Sequence, residues 1–174
     1  MHVTQYLTAG SLLLAPLVSA IPRIKGYNLQ WSDDFNGPKN SPPDSSNWII
    51  DQGTSYPGGP AHWGTGEIQT YTNSATNVAL DGKGHLLITP RKSSSGTWTS
   101  ARIETAKSDF VPPKNGRMII QARIALPAMS ATKSQGIWPA FWALGANYRG
   151  NYQNWPGTRS AMHVHDQYVA DMSV

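Results

Sequence analysis

Several aromatic residues of this chain stand beside turn-forming residues instead of inside apolar runs. The sequence has seven Trp and seven Tyr in 174 residues, and those next to Gly, Pro or Asn are Tyr56, Trp63, Tyr148, Tyr152 and Trp155. Flat rings in loops can stack on the axial C–H groups of a pyranose while polar side chains at the rim bind its hydroxyl groups. The pattern is therefore typical of a carbohydrate-binding cleft, and ordinary core packing is the alternative.

Four short segments stand out, and three of them combine aromatic with polar residues. They are 31–37 (WSDDFNG), 67–72 (EIQTYT), 99–105 (TSARIET) and 136–145 (GIWPAFWALG). In the same order they resemble the W-S-D-E-F-x-G, N-E-x-Q-x-Y-T, T-S-A-R-I-x-T and G-x-W-P-A-F-W-x-L-G segments of glycoside hydrolase family 16, the laminarinase and mixed-linkage β-glucanase family. One departure from this pattern is Gly66, which stands where the family usually has Asn.

The resemblance implies an all-β fold, a β-jelly-roll sandwich of the concanavalin A-like type, and endo-acting hydrolysis of β-1,3- or β-1,3(4)-glucan with retention. It also implies substrate contacts from Trp138, Trp142, Trp155 and Arg102. The four-residue spacing of Trp138 and Trp142 would turn both to one face of a regular strand. Core packing against a second sheet is the alternative for that pair, whereas a charge such as Arg102 on an inward-facing strand requires a partner.

The catalytic carboxylates that the resemblance requires are missing from this chain. Retaining glycosidases use two carboxyl groups about 5–5.5 Å apart, and the family carries them as E-x-D-x-E or E-x-D-x-x-E on one strand that follows a Trp-Pro pair. After the Trp-Pro pair of this chain, residues 157–174 contain no Glu. The acids Asp166 and Asp171 are five residues apart, so a regular strand would turn them to opposite faces. We therefore expect no catalytic residue in this chain.

Three functional interpretations remain open. The first is the N-terminal part of a secreted endo-β-1,3(4)-glucanase-type hydrolase that is inactive; the others are a non-catalytic β-glucan-binding fragment and a non-functional truncated product. We expect structural or rim roles for Glu67 and Glu104, with no second carboxyl group paired to either. His163 and His165 lie beside Asp166 as in some metal sites, but two His without a spaced third ligand are more typical of a solvated tail. No metal or cofactor is expected.

The elements that must position these residues are short β strands. With 16 Gly and 13 Pro, turn residues separate brief apolar segments throughout the chain. The Asp81-Gly82 pair between two apolar runs predicts a hairpin over 78–88, and long loops are expected at 36–47 and 53–66. Strands are predicted at 27–35, 48–51, 67–71, 78–81, 85–90, 97–105, 116–124 and 136–144.

The first twenty residues have the pattern of a secretory signal. The apolar run 12–18 ends at small residues before Ala20, as cleavage by signal peptidase requires, and it is shorter than the roughly 20 residues of a membrane span. A buried N-terminal helix is the alternative. We divide the chain into a signal peptide at 1–20, the N-terminal part of a family 16 domain at 21–156 and a non-matching tail at 157–174, and we expect secretion.

Charge and cysteine content narrow the possible partners. The net charge is +4 and the 14 basic residues are spread along the chain, whereas nucleic-acid binders cluster theirs in a patch or stripe. The absence of Cys excludes disulfides and thiolate chemistry. We expect a monomer whose partner is a β-glucan polysaccharide, with neither nucleic acid nor a membrane as a partner.

Overall fold

The computed structural model describes residues 21–126, 128–130, 132–133, 135–144 and 167–173. The predicted signal peptide therefore lies outside the described residues. Residues 1–32 and 33–174 form two compact units. In the described part of the first unit, the N–H of Tyr27 donates to the carbonyl of Ile24 at 3.1 Å in a turn, and every strand belongs to the second unit.

The second unit is built of β strands, with one 3-10 turn at Ala61–Gly64 and no α-helix among its described residues. This confirms the predicted all-β class. The strands are β1 (Trp48–Asp51), β2 (Thr70–Tyr71), β3 (Val78–Leu80), β4 (Leu86–Ile88), β5 (Arg91–Lys92), β6 (Trp98–Ser100), β7 (Arg102–Thr105), β8 (Trp138–Leu144) and β9 (Gln167–Ser173).

The described strands are arranged in three sheets. The largest has the order β1-β7-β9-β8 and is antiparallel throughout. The second has the order β2-β6-β5, with β2 parallel to β6, and the third is the β3-β4 hairpin. Strand β7 is internal to the largest sheet, and all four of its residues are buried.

Most predicted strands are confirmed, usually with shorter bounds. Strand β1 matches the prediction for 48–51, and β3, β4 and β8 lie within 78–81, 85–90 and 136–144. Of 67–71, only the last two residues form a strand. Strands β5 and β9 were not predicted; β9 lies in the tail that lacks family resemblance and pairs with both β7 and β8.

The predicted strand 97–105 is two strands that belong to different sheets. Strand β6 pairs with β2 and β5, whereas β7 pairs with β1 and β9. Ala101 between them is fully buried, with 0% exposure. Strands that switch from one sheet to another form the corners of β sandwiches, and Ala101 is such a corner.

Two predicted strands, 27–35 and 116–124, are wrong. At the end of the first, Phe35 has a φ of 51° and its N–H donates to the carboxylate of Asp33 at 2.7 Å, which closes a turn. The second forms no strand and pairs with none in the described part of the chain. An alternating pattern shows that a segment could lie in a sheet. A strand forms only if a neighbouring strand is also there to pair with it.

The predicted hairpin over 78–88 is confirmed, with a five-residue loop between its strands. Leu80 is opposite Leu86 in the ladder. The carboxylate of Asp81 accepts hydrogen bonds from the N–H groups of Lys83 at 2.7 Å and His85 at 3.1 Å, a local arrangement that Asp favours in turns. The loop is completed by a left-handed glycine at its second position, Gly82, with a φ of 79°.

Replacing Gly82 by Ala should destabilise the protein more than the same change at Gly96. Both glycines have positive φ, near 79° and 88°, and an L-residue in that region costs about 1–2 kcal/mol. A Cβ at Gly82 would also lie 3.1 Å from the backbone nitrogen of Lys39, while a Cβ at Gly96 meets nothing within 4 Å. Urea unfolding of the two variants measures the difference, and equal losses would contradict the close contact.

Strand β7 has two faces of different composition, because alternate side chains of a strand point to opposite sides. Ile103 and Thr105 lie on one face. Arg102 and Glu104 lie on the other, where Asp51 is directly opposite Arg102 in the β1-β7 ladder. Three charged residues are therefore buried together on one face of the β1-β7 pair, with exposures of 7% for Asp51 and 2% for each of the other two.

Candidate functional site

The buried guanidinium of Arg102 forms an ion pair with a carboxylate of the neighbouring strand. Its Nε donates to Oδ2 of Asp51 at 3.1 Å. The antiparallel register of β1 and β7 aligns the two residues, so the contact follows from the ladder. Charges this deeply buried are tolerated when they are paired, and the sequence-based expectation that Arg102 requires a partner is confirmed.

Three aromatic rings surround the same guanidinium. The distance from Cζ of Arg102 to the ring centroid is 4.7 Å for Trp63, 5.1 Å for Trp142 and 5.8 Å for Tyr56. Each lies within the roughly 6 Å over which a cation is attracted to an aromatic face. Trp63 is buried, whereas Trp142 is half-buried. The cation is thus enclosed by the buried Trp63 and covered by the half-buried Trp142.

Trp142 reaches Arg102 because of the strand register. In the ladders of the largest sheet, Glu104 is opposite Val169 and Val169 is opposite Trp142. Residues opposite each other in an antiparallel ladder share a face, so β8 directs Trp142 to the face that holds Arg102. Alternation along β8 places Trp138 on the same face.

Trp63 is held by an unusual turn in the long loop before β2. His62 has φ 52° and ψ 38°, and Trp63 has φ 54° and ψ 17°, two consecutive left-handed residues that are not glycine. Such conformations cost about 1–3 kcal/mol each and persist only where the surroundings enforce them. The His62 carbonyl accepts from Thr65 at 3.1 Å and Gly66 at 3.2 Å, and the N–H of Trp63 donates to Thr54 at 3.1 Å.

A tyrosine hydroxyl links the two buried carboxylates. The hydroxyl of Tyr56 lies 3.0 Å from Oδ2 of Asp51 and 3.1 Å from Oε2 of Glu104. Burial raises the pKa of Asp51 to about 6, and the charge of Glu104 adds to the rise, against the opposing effects of Arg102 and Tyr56. Tyr56 thus links Glu104 to a second carboxyl group, although the ladder places Ile49 and not Asp51 opposite Glu104.

Glu67 belongs to a second polar group beside Trp63. Its Oε2 accepts from the hydroxyl of Tyr71 at 2.7 Å and from Nε2 of Gln69 at 2.8 Å, and its Oε1 accepts from Thr65 at 2.8 Å. The Tyr71 ring lies 5.5 Å from that of Trp63. Glu67 therefore holds Tyr71, whose ring lies beside that of Trp63. This is a structural role, one of the two roles expected from the sequence.

The structure brings together two of the four predicted substrate-binding residues, Arg102 and Trp142. Trp138 is 71% exposed on the same strand as Trp142, and Trp155 lies outside the described residues, as do Tyr148 and Tyr152. Sequence reasoning missed Asp51 and Glu104 as members of this group, and it named Tyr56 only as a loop aromatic residue. Two signals pointed to them: Asp51 ends an apolar run, and Glu104 follows Arg102 by two positions, which is the spacing of one strand face.

This arrangement is suited to binding an uncharged, hydroxyl-rich ligand. A half-buried Trp142 over a fixed guanidinium and an exposed Trp138 offer ring faces next to hydrogen-bond donors. The carboxylates of Asp51 and Glu104 are buried beneath these groups and bonded to Tyr56. They are therefore poorly placed to attack a substrate, since a catalytic acid or base must reach the reacting atoms.

The part of the chain that the structure describes has neither a metal-binding cluster nor a membrane-spanning helix. Nowhere in it do three His, Cys, Asp or Glu side chains come together in a way that could hold a metal ion. It also contains no helix of sufficient length and hydrophobicity to cross a membrane. His163, His165 and Asp166 lie outside the described residues.

Comparison with known proteins gives similar sequences and a similar fold, although no protein-family model matches the chain. The chain is 35% identical over 133 residues to the glucan endo-1,3-beta-glucosidase A1 of Niallia circulans, a match that covers 71% of this chain and 18% of the relative. The crystal structure of an endo-1,3-beta-glucanase from Streptomyces sioyaensis is similar with a TM-score of 0.70 and 48% identity, over 79% of this chain and 50% of that one.

A third similar protein is the laminarinase from Flavobacterium sp. UMI-01, with a TM-score of 0.51 and 32% identity over 74% of this chain and 47% of that one. The chain thus spans half or less of the length of these three proteins. The predicted jelly-roll sandwich is confirmed over the part of the fold that the chain covers.

Proposed function

Because this chain is a homologue of endo-1,3-β-glucanases and laminarinases and has the fold of glycoside hydrolase family 16, we propose that it binds β-glucan on the face formed by Arg102, Trp138 and Trp142. The observation that carries the proposal is the 5.1 Å contact between the buried guanidinium and the half-buried Trp142 ring. A paired and enclosed cation keeps this ring in one place, and an ordered ring loses little freedom when a sugar stacks on it.

The two Trp residues of β8 supply the accessible part of this face. Positions four residues apart along a strand are separated by about 13 Å, which leaves room for sugar rings to stack on Trp138 and Trp142 at the same time. Trp155 follows them in the sequence and is included in the proposed site on the basis of the family resemblance. Hydroxyl groups at the ring edges would be bound by polar neighbours at the surface, while Arg102, which is 2% exposed, holds the Trp142 ring in place.

We further propose that this chain binds β-glucan without hydrolysing it. Retaining hydrolysis needs two accessible carboxyl groups about 5–5.5 Å apart, and residues 157–174 contain no Glu. Asp51 contacts Arg102 of the proposed site, Tyr56 links it to Glu104, and both carboxylates are almost fully buried. The alternative is a product that does not fold to a functional state, which cooperative unfolding in urea would exclude.

The proposed site predicts a specific loss of binding when Trp142 is replaced. Trp142→Ala should weaken the affinity for soluble β-1,3-glucan by about tenfold, the equivalent of 1.4 kcal/mol, because the stacking surface is removed. Trp98→Ala is the matched control, because Trp98 lies on β6 in the second sheet. Isothermal titration calorimetry with laminarin measures both, and a reducing-sugar assay should detect no product. Equal losses in the two variants would reject the proposed face.

Localisation and assembly are proposed on the sequence alone. We propose that the protein is secreted after removal of residues 1–20 and is a monomer. N-terminal sequencing of protein collected from culture medium should give Ile21 as the first residue, and light scattering should give the mass of a single chain. Retention of Met1 in the recovered protein would contradict the signal peptide.

A further inference from the structure

The turn at His62 and Trp63 is unfavourable in two independent ways. Both residues have a left-handed φ, 52° for His62 and 54° for Trp63, which is strained for residues other than glycine. In addition, the indole Nε1 of the buried Trp63 has no hydrogen-bond partner in the described part of the chain, and buried donors without an acceptor are rare in native structures. Strain of this kind is concentrated at binding and catalytic sites, which indicates that the turn does more than connect two segments.

The imidazole of His62 is fixed to the turn through one of its two nitrogens. Nδ1 lies 2.8 Å from the carbonyl oxygen of Glu67. A carbonyl oxygen can only accept, so Nδ1 carries the proton of this hydrogen bond. In the opposite direction, the N–H of Glu67 donates to the carbonyl of His62 at 3.4 Å. The two hydrogen bonds join the same two residues and hold the ring in one orientation.

The other ring nitrogen, Nε2, remains for a ligand. His62 is exposed, and among the described residues its imidazole has one hydrogen bond, that of Nδ1. Nε2 accepts a hydrogen bond when the ring is neutral and donates one when the ring is charged. A sugar hydroxyl is both a donor and an acceptor, so it can pair with Nε2 in either state.

His62 also lies next to the proposed glucan-binding face. It directly precedes Trp63, whose ring is 4.7 Å from Cζ of Arg102, and the ring of Trp142 is 5.1 Å from the same atom. The turn and strand β8 are therefore neighbours around one guanidinium. Trp63 itself is buried, so His62 is the side chain by which the turn can contact a ligand that lies on Trp142.

We propose that Nε2 of His62 forms a hydrogen bond with a hydroxyl group of the β-glucan that stacks on Trp142. This inference rests on the proposed function, because it adds one contact to the same binding face. The two nitrogens of the ring then have different roles, since Nδ1 fixes the ring and Nε2 binds the ligand. The left-handed turn makes this possible, because it exposes His62 while the next residue, Trp63, is buried against Arg102.

An asparagine at position 62 separates the roles of the two nitrogens. Its amide nitrogen can take the place of Nδ1 and donate to the carbonyl of Glu67, and Asn is well tolerated at positive φ. The side chain is too short to reach the position of Nε2. His62→Asn should therefore unfold at the same urea concentration as the wild type and bind laminarin about fivefold more weakly, the loss expected for one hydrogen bond.

His62→Gln makes the opposite change. Its longer side chain can place an amide group at the position of Nε2, but it leaves the carbonyl of Glu67 without the donor that Nδ1 supplied. This variant should unfold at a lower urea concentration than His62→Asn and yet bind laminarin more tightly. Isothermal titration calorimetry and urea unfolding followed by circular dichroism measure the two quantities.

His85→Asn is the matched control for these variants. His85 is also exposed, and its Nδ1 is likewise engaged, at 2.7 Å from Oδ2 of Asp81. It lies in the loop of the β3-β4 hairpin, which is a separate sheet. Laminarin should therefore bind His85→Asn as tightly as it binds the wild type.

The contact from His62 is overturned if His62→Asn binds laminarin as tightly as the wild type, or if the affinities of the two His62 variants follow their stabilities. Trp142→Ala, measured beside them, separates this contact from the proposed function. A loss in Trp142→Ala with none in His62→Asn would retain the binding face and remove His62 from it. A wild-type protein that does not bind laminarin would overturn both.

An NMR titration of the wild type gives an answer that does not require any variant to fold. Long-range proton–nitrogen spectra distinguish the two ring nitrogens of each His. Laminarin should shift the Nε2 signal of His62 more than its Nδ1 signal, because Nδ1 stays bonded to Glu67, and it should leave the signals of His85 in place. An unchanged Nε2 signal of His62 at saturating laminarin would overturn the contact.

Discussion

Replacing Arg102 by Met should lower the free energy of unfolding at pH 7.5 by about 3–5 kcal/mol, the cost of removing one partner from a buried ion pair. Met retains an apolar side chain of similar length, so the loss isolates the charge. Asp51 and Glu104 would remain 7% and 2% exposed without the guanidinium that offsets them. The rings of Trp63 and Trp142 would also lose the cation that lies 4.7 and 5.1 Å from their centroids.

Urea unfolding at two pH values tests this explanation. The loss in Arg102→Met should be smaller at pH 5, where a carboxyl group can take up a proton and remove its own charge. Arg91→Met is the matched control, because Arg91 is exposed on β5 and donates to the carbonyl of Thr76; it should cost no more than about 1 kcal/mol. A similar loss in both variants would show that the buried carboxylates do not depend on Arg102.

Local sequence patterns were sufficient to predict the strands whose partners are close in the chain. The hairpin over 78–88 is specified by two apolar runs and an Asp-Gly pair, and both strands and the turn lie within eleven residues. Strand β1 is an apolar run ended by Asp51 and then Gly53, which has a φ of 90°. In such cases the strand propensity, the turn residues and the pairing partner all lie within one short segment and favour the same structure.

Predictions were less accurate where the partner of a segment is distant. Residues 97–105 have one continuous pattern of strand-forming residues, yet the chain changes sheets at Ala101 because its two halves have different neighbours. Residues 116–124 have an equally good pattern, and no described strand pairs with them. The alternation of apolar and polar residues indicates whether a segment can lie in a β sheet. Which strand it pairs with depends on the other strands of that sheet.

The same distinction applies to the candidate site. Arg102 and Trp142 were both predicted to contact substrate, and the register through β9 brings them together. Asp51 was not expected there, because it is 51 residues from Arg102 in the chain and only the β1-β7 ladder aligns the two. The left-handed turn at His62 and Trp63 was not predicted either, since a bulky residue such as Trp63 rarely adopts positive φ.

Replacing Trp63 by Ala should lower the free energy of unfolding by about 3–5 kcal/mol, as is usual when a buried Trp is truncated. Trp63 is 5% exposed, and its ring centroid is 4.7 Å from that of Tyr56 in an edge-to-face contact. Its removal would therefore take away packing, an aromatic pair and one ring next to Arg102. Weaker binding of laminarin should accompany the loss, because Arg102 would no longer be enclosed.

A comparison of Ala with Gly at the same position tests the strained turn itself. Trp63 has a φ of 54°, where Gly is accommodated without the cost of about 1–2 kcal/mol that other residues bear. Trp63→Gly should therefore be less destabilising than Trp63→Ala, by about 1 kcal/mol. On β6 the order should be reversed, with Trp98→Gly worse than Trp98→Ala, because Gly weakens a strand interior. If Gly is the worse substitution at both positions, the turn does not impose a left-handed conformation on Trp63, and the positioning of its ring must come from packing alone.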